Sequence, residues 1–184
     1  MEIWDLYDKN YNIVGEHIRG QELPDNCYHL VVHVWIKNSK GQYLISQRAA
    51  DRQHCPLMWE CQGGSVLKGE SSLQGALREV REEVGIDLDI DKGKIVFSNV
   101  RGIVDGKKFN DIMDVWLFEY DGEGSLEKAT TKEVAQIKWL YPDEIRQIYK
   151  KHQFVWTLAY FFEKFWSTFK NKVLRSRLFH PTNT

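Results

Sequence analysis

Residues 64–86 read Gly-Ser-Val-Leu-Lys-Gly-Glu-Ser-Ser-Leu-Gln-Gly-Ala-Leu-Arg-Glu-Val-Arg-Glu-Glu-Val-Gly-Ile, and this run constrains the fold more than any other part of the chain. Ser71 followed three residues later by Gln74 is a capping-box pattern, in which each side chain satisfies a backbone amide left without a partner in the first helical turn. Leu73, Ala76, Leu77, Val80 and Val84 recur at spacings of three and four and give one apolar face. Gly85 stands where helices commonly end in a left-handed residue. The spacing predicts a helix over residues 72–84, about three and a half turns long.

Glu79, Glu82 and Glu83 are related by i, i+3 and i+4, so they project from one side of that helix. Clustered carboxylates repel unless a positive charge lies between them. Oxygen-only donors of this kind suit Mg²⁺ or Mn²⁺, hard cations that keep several waters and hold substrate phosphates. Arg78 is placed to pair with one carboxylate and fix its rotamer, and Glu70 at the loop–helix junction offers a fourth acid. For any short Arg-Glu-x-x-Glu-Glu run, the competing explanation is a solvated helix laced with ion pairs.

The longer pattern Gly-x5-Glu-x7-Arg-Glu-Val-x-Glu-Glu-x-Gly-Ile resembles the Nudix box, met at every fixed position without a gap. The resemblance extends over roughly residues 28–145. His29-Leu-Val-Val-His-Val-Trp35 and Gly41-Gln-Tyr-Leu-Ile-Ser-Gln-Arg48 look like the family's first central strands. Leu57-Met-Trp-Glu-Cys-Gln-Gly-Gly64 looks like the lead-in strand, with Gln62 where many members carry proline. Glu133-Val-Ala-Gln-Ile-Lys-Trp139 and Pro142-Asp-Glu-Ile145 look like the closing strand and the start of the final helix.

The resemblance implies an α/β fold: a Nudix-type α/β/α sandwich with a mixed central sheet, an N-terminal β-hairpin and an extra C-terminal aromatic helix. It implies Mg²⁺- or Mn²⁺-dependent hydrolysis of a diphosphate bond in a nucleoside diphosphate linked to another group. Carried over by position, the metal ligands are Glu79, Glu82, Glu83 and the backbone carbonyl of Gly63 (or Gly64). Glu79, Arg78 and Glu82 form the catalytic set, with Glu79 activating water and Arg78 orienting it. Arg48, Gly64 and Glu70 fall to substrate binding. Asp111, Asp114 and Glu119, on or near a predicted strand, are candidates for a second base.

Two other functions compete with this one. Isopentenyl diphosphate isomerases share a similar fold, but their cysteine position falls on Gly63, with Cys61 two residues away. Of their three histidines only His29 is kept, with Glu22 and Ser65 at the other two places. A non-catalytic Nudix-fold binding protein would be expected to have lost box acids, and none is lost here. Markers that would name the substrate are absent; for example, no proline follows Ile86 until Pro142.

With 184 residues, 42% hydrophobic content and a net charge of −1, the chain reads as one domain with an adequate core and no nucleic-acid signature. The expected core spans about 28–146, flanked by a hairpin at 1–20 and a helical extension at about 147–175. Three cysteines without metal spacing, no signal peptide and no membrane-spanning run lead to an expected cytoplasmic setting. Strands are expected at 3–7, 11–14, 28–37, 42–48, 58–62, 94–103, 111–120 and 133–139. Val155, Leu158, Ala159, Phe162, Trp166, Phe169 and Val173 follow a helical stripe, widened by Trp156, Tyr160, Phe161 and Phe165. Such a face must be covered: by the sheet, by a homodimer partner, or by substrate as a pocket wall. His29, His33, Cys61, Trp59 and Trp116 read as core residues.

Overall fold

The computed structural model describes residues 2–104 and 106–165. Its axis is β3 (Tyr28–Lys37), whose mix of β-branched and aromatic residues suits a strand covered on both faces. Along one edge β3 pairs in parallel with β8 (Lys107–Glu119), from His29–Asp111 to Lys37–Glu119. Along the other edge it takes three partners in turn. It meets β1 (Ile3–Tyr7) at residues 28–29, β6 (Gln62–Ser65) at 31–34 and β4 (Tyr43–Arg48) at 36–37. β2 (Ile13–Ile18) extends β1, and β7 (Gly93–Val104) extends β8. β5 (Trp59–Glu60) and β9 (Val134–Leu140) pair with β4. The strands β4, β5 and β9 diverge from β6, whose outer edge pairs with no strand among the described residues. That edge is where the functional cavity forms.

The alternation along β3 sends side chains to two layers. Leu30, Val32, Val34 and Ile36 pack with Ala76, Val80 and Val84 of α1 (Ser72–Val84). Trp35 faces the other way, with Tyr43, Ile45, Met113 and Val115, onto Ile145 of α2 (Pro142–Lys150) and the segment carrying Phe154, Leu158 and Phe161. The result is the α/β/α sandwich expected from the sequence. α1 matches its expected bounds, with Ser71 and Gln74 forming the capping box and Gly85 closing the helix at φ 66°. Among the described residues no helix is long and apolar enough to cross a membrane.

Three expectations are corrected. The single strand at 58–62 is two short strands broken at Cys61, because β5 and β6 serve different partners. The second hairpin strand runs at Ile13–Ile18 rather than 11–14, since Asp8 caps the turn through the amides of Asn10 and Asn12. The aromatic stripe is not one helix from Val155. Trp59 receives and returns backbone bonds with Gln153 and Val155, which holds that stretch extended. A 3₁₀ turn follows at Trp156–Leu158, and α3 (Tyr160–Lys164) begins only there. The buried set is therefore Phe154, Leu158, Phe161 and Phe165, against the sheet. Trp166, Phe169 and Val173 lie outside the described residues.

Candidate active site

The loop–helix junction is organised around Arg78. Its Nε and Nη2 donate to the two oxygens of Glu70 at 2.8 and 3.0 Å, a fork-to-fork pair. Nη2 also donates to the Ser65 carbonyl at 2.9 Å, and Nη1 to Glu79 and Glu82 at 2.9 and 3.0 Å. Arg78 therefore holds three carboxylates where the spacing called for one. Burial pushes the Glu70 carboxyl up, but the Arg78 bonds and the Leu67 amide outweigh it and leave it below the usual range. Glu70 does not line the cavity, which corrects its assignment to substrate binding: it anchors Arg78 from behind.

The cavity, about 360 Å³, is lined by Glu79, Glu82 and Glu83 together with Gly63, Gly64 and Arg78. Two glycines let these groups approach. Gly63 has φ 147°, and a Cβ there would sit 2.1 Å from the Val32 carbonyl oxygen. A Cβ on Gly64 would stand 2.5 Å from a Glu79 oxygen. Burial pushes the Glu79 carboxyl up to about 7, against the pull of Arg78. Glu83 is only 6% exposed and accepts one bond, from the Gly63 amide at 3.1 Å. Burial drives its carboxyl well up, and the charges of Glu60 and Glu79 add to the shift.

This donor set fits a hard divalent cation. Two buried carboxylates with raised affinity for protons share one cavity, which describes a local shortage of positive charge. Both polar atoms of the fully buried Gln62 amide, on the same cavity, lack a hydrogen-bond partner among the described residues. With Arg78 drawn in, no three acidic, His or Cys side chains among the described residues yet surround one point.

Arg48 lies on the cavity as expected, bound to Glu60 at 2.6 Å and to the His54 carbonyl at 2.8 Å. The second-base candidates do not line it. Asp111 is buried against Arg101 through bonds of 2.7 and 2.6 Å, and Asp114 takes the Ser98 hydroxyl. Glu119 is exposed at the end of β8. Asp111 and Asp114 lie on opposite faces of β8, and each is taken up by a side chain of β7, Arg101 or Ser98.

Among the cavity residues that the sequence did not point to are Glu60, Glu133, His33 and Arg101. Glu60 had a signal, an acid between the apolar Trp59 and Cys61 in an expected strand. Arg101 had none, because it faces Asp111 only through an irregularity in the β7–β8 register between Arg101 and Ile103. His33 sits beneath Gly63 in the sheet register and bonds through Nδ1 to the Tyr160 hydroxyl at 2.8 Å. Burial drives its imidazole down to about 3, and the Arg101 charge pushes the same way. Val155, Thr157 and Leu158 complete the wall, so the C-terminal segment both packs on the sheet and borders the cavity.

Residues 28–165 match the NUDIX domain. An uncharacterised Nudix hydrolase of Listeria innocua is 37% identical over 164 residues, covering 88% of this chain and 91% of its own. Isopentenyl-diphosphate Delta-isomerase I of Camptotheca acuminata is 27% identical, over 79% of this chain and 70% of that protein. The crystal structure of DR0079 from Deinococcus radiodurans superposes with a TM-score of 0.65 at 22% identity, over 84% of this chain and 92% of that one, which shows the shared fold. An intact box on this sheet, with these relatives, places the chain in the Nudix hydrolase family.

Proposed function

We propose that the protein hydrolyses a diphosphate bond in a nucleoside diphosphate linked to a second group, in the presence of Mg²⁺ or Mn²⁺. The observation that carries this reading is the pair of largely buried, proton-seeking carboxylates, Glu79 and Glu83, on a cavity where Arg78, the cation bonded to Glu79, is already shared among three acids. Glu79, Glu82, Glu83 and the Gly63 carbonyl are the residues that would hold the ion. When bound, it supplies charge neutralisation on the phosphates and makes the attacking water more acidic.

The chain's own groups do the rest. Glu79, on the cavity and bonded to Arg78, is the carboxylate that would take the proton of the attacking water. Arg78 fixes its direction, because Glu70 and the Ser65 carbonyl fix Arg78. As the water oxygen bonds to phosphorus, the P–O bond to the leaving phosphate breaks and that phosphate departs as an anion. The isomerase reading lacks its reactive cysteine: Gly63 carries no side chain, and burial drives the Cys61 thiol well above the ordinary range.

The test is product release from a panel of nucleoside diphosphate derivatives, with and without Mg²⁺, run on the parent and Glu83→Gln. Metal-dependent cleavage lost in the variant is expected. Undiminished turnover in Glu83→Gln, or conversion of isopentenyl diphosphate with no hydrolysis, would overturn the proposal.

A further inference from the structure

The far wall of the same cavity, made by β3, β7 and residues 155–158, carries two side chains that the hydrolytic chemistry above does not use. Each is tied down on one edge by a buried partner. Arg101, with a side chain only 10% exposed, spends Nε and Nη2 on Asp111 and lays its guanidinium on the Phe109 ring at 4.8 Å. Among the described residues nothing takes a bond from its Nη1. His33 is fixed through a chain that starts at Trp35. The indole N–H of Trp35 can only donate, and it donates to the Tyr160 oxygen at 3.2 Å. The Tyr160 oxygen also lies 2.8 Å from His33 Nδ1, with the two rings nearly parallel, and its hydroxyl reaches the Cys61 thiol as well. An imidazole that accepts at Nδ1 and is neutral carries its hydrogen on Nε2. Nε2 has no partner among the described residues, and both side chains border the cavity.

We propose that the Tyr160 hydroxyl donates to His33 Nδ1, and that His33 Nε2–H and Arg101 Nη1 thereby form a preorganised two-donor wall that holds an oxyanion of the substrate, phosphate or carboxylate. Both donors are positioned before any ligand arrives, so little side-chain freedom remains to be lost on binding. Buried donors without acceptors are unfavourable, and a guanidinium edge beside an N–H matches a charged oxygen better than a neutral ring. The wall defines a class of substrate: a diphosphate whose second phosphate or attached group places an anionic oxygen against β3 and β7. It rests on the hydrolase reading for its place in catalysis, but the binding itself does not depend on turnover.

The experiment uses the full-length, ¹⁵N-labelled protein free of divalent metal, so that the acids of α1 cannot recruit phosphate through an ion. The His33 ring nitrogens are read by long-range ¹H–¹⁵N correlation during titration with inorganic phosphate and, in a parallel arm, succinate. The expected result is an Nε2–H tautomer whose Nε2 signal moves with one anion, which names the source as phosphate or carboxylate. Tyr160→Phe should release the tautomer toward a mixture. The double variant Arg101→Met/Asp111→Leu removes the ion pair together, so no buried charge is orphaned. It should weaken anion binding at least ~tenfold. Hydrogen on Nδ1 in the parent, no Nε2 response to either anion, or undiminished affinity in the double variant would each overturn the wall. Should the double variant fail to fold, an unchanged tautomer in Tyr160→Phe is sufficient to overturn it. Anion binding without any metal-dependent hydrolysis sinks only the catalytic reading, whereas hydrolysis without an anion response sinks only the wall.

Discussion

Gly64→Ala isolates the geometry of the site from its charges. The added methyl would lie 2.5, 2.7 and 2.8 Å from the Glu79 carboxylate atoms, where ordinary contact begins near 3.4 Å. The carboxylate must therefore retreat by close to 1 Å, about the misplacement that costs a catalytic group ~100-fold. Folding should register far less. Gly64 lies outside the left-handed region, so alanine fits its backbone and stabilises by about 0.4–1 kcal/mol through the unfolded chain. Displacing a glutamate tip at a cavity edge belongs at the low end of the ~1–3 kcal/mol for overpacking. The two effects nearly cancel. The assay pairs kcat on the best substrate of the panel, at saturating Mg²⁺, with urea unfolding. Gly15→Ala, where the new methyl meets nothing within 4 Å, serves as the control. A kcat within threefold of the parent would refute the claim that Glu79 position governs turnover. A stability loss of several kcal/mol would mean that the glycine serves folding instead.

Three further outcomes follow from the same geometry. In metal-free protein at pH 8, Glu83→Gln should raise unfolding stability by about 1–3 kcal/mol, because burial raises the folded carboxyl and makes its charge unfavourable. That advantage should fade on acidification as Glu83 takes up its proton, and added Mg²⁺ should stabilise the parent alone; a pH-independent gain in urea titrations contradicts this. His33 has the opposite sign: its folded value is lowered to about 3, so below about 6.5 the unfolded chain binds a proton that the folded chain refuses, and stability drains as pH falls. Because the ring keeps an edge on the cavity, the stability gap between parent and His33→Asn should narrow by only about 1–2 kcal/mol from pH 7 to pH 5; equal gaps at both pH values count against a buried neutral imidazole. Phe161→Ala removes a fully buried ring stacked on Trp35 at 4.2 Å and should cost about 3–5 kcal/mol in urea unfolding, with a loss under 1 kcal/mol refuting its place in the core.

What could be read from the sequence was what depends on neighbours along the chain. The bounds of α1 came out residue for residue because its start is a reciprocal Ser71–Gln74 pair and its stop is a left-handed Gly85. The three box acids reach one cavity for the same reason, since one helix face carries them all. The aromatic C-terminus failed where a distant partner intervened: Trp59 captures residues 153–155 in extended backbone, which delays α3 and shifts the buried positions from Val155 and Phe162 to Phe154, Phe161 and Phe165. Asp111 was misjudged because an acid on a strand reads alike whether it faces a substrate or an arginine. Only the β7–β8 register decides, by setting it against Arg101.

The site that emerges has two halves with opposite electrostatic logic. On α1, local spacing gathers carboxylates that cannot all be charged and buried without a cation, so the fold carries an unfavourable term there in the metal-free state. Across the cavity, Asp111 balances the charge of Arg101 through the hairpin, burial keeps the His33 imidazole uncharged, and Tyr160 holds that ring through a contact spanning 127 positions. A substrate bridging both halves meets a charge that demands an ion and a wall that asks only for an acceptor. Reaction class then follows from the helix, whose pattern is contiguous, while substrate choice follows from tertiary contacts. That division explains why a complete box leaves the identity of the attached group open.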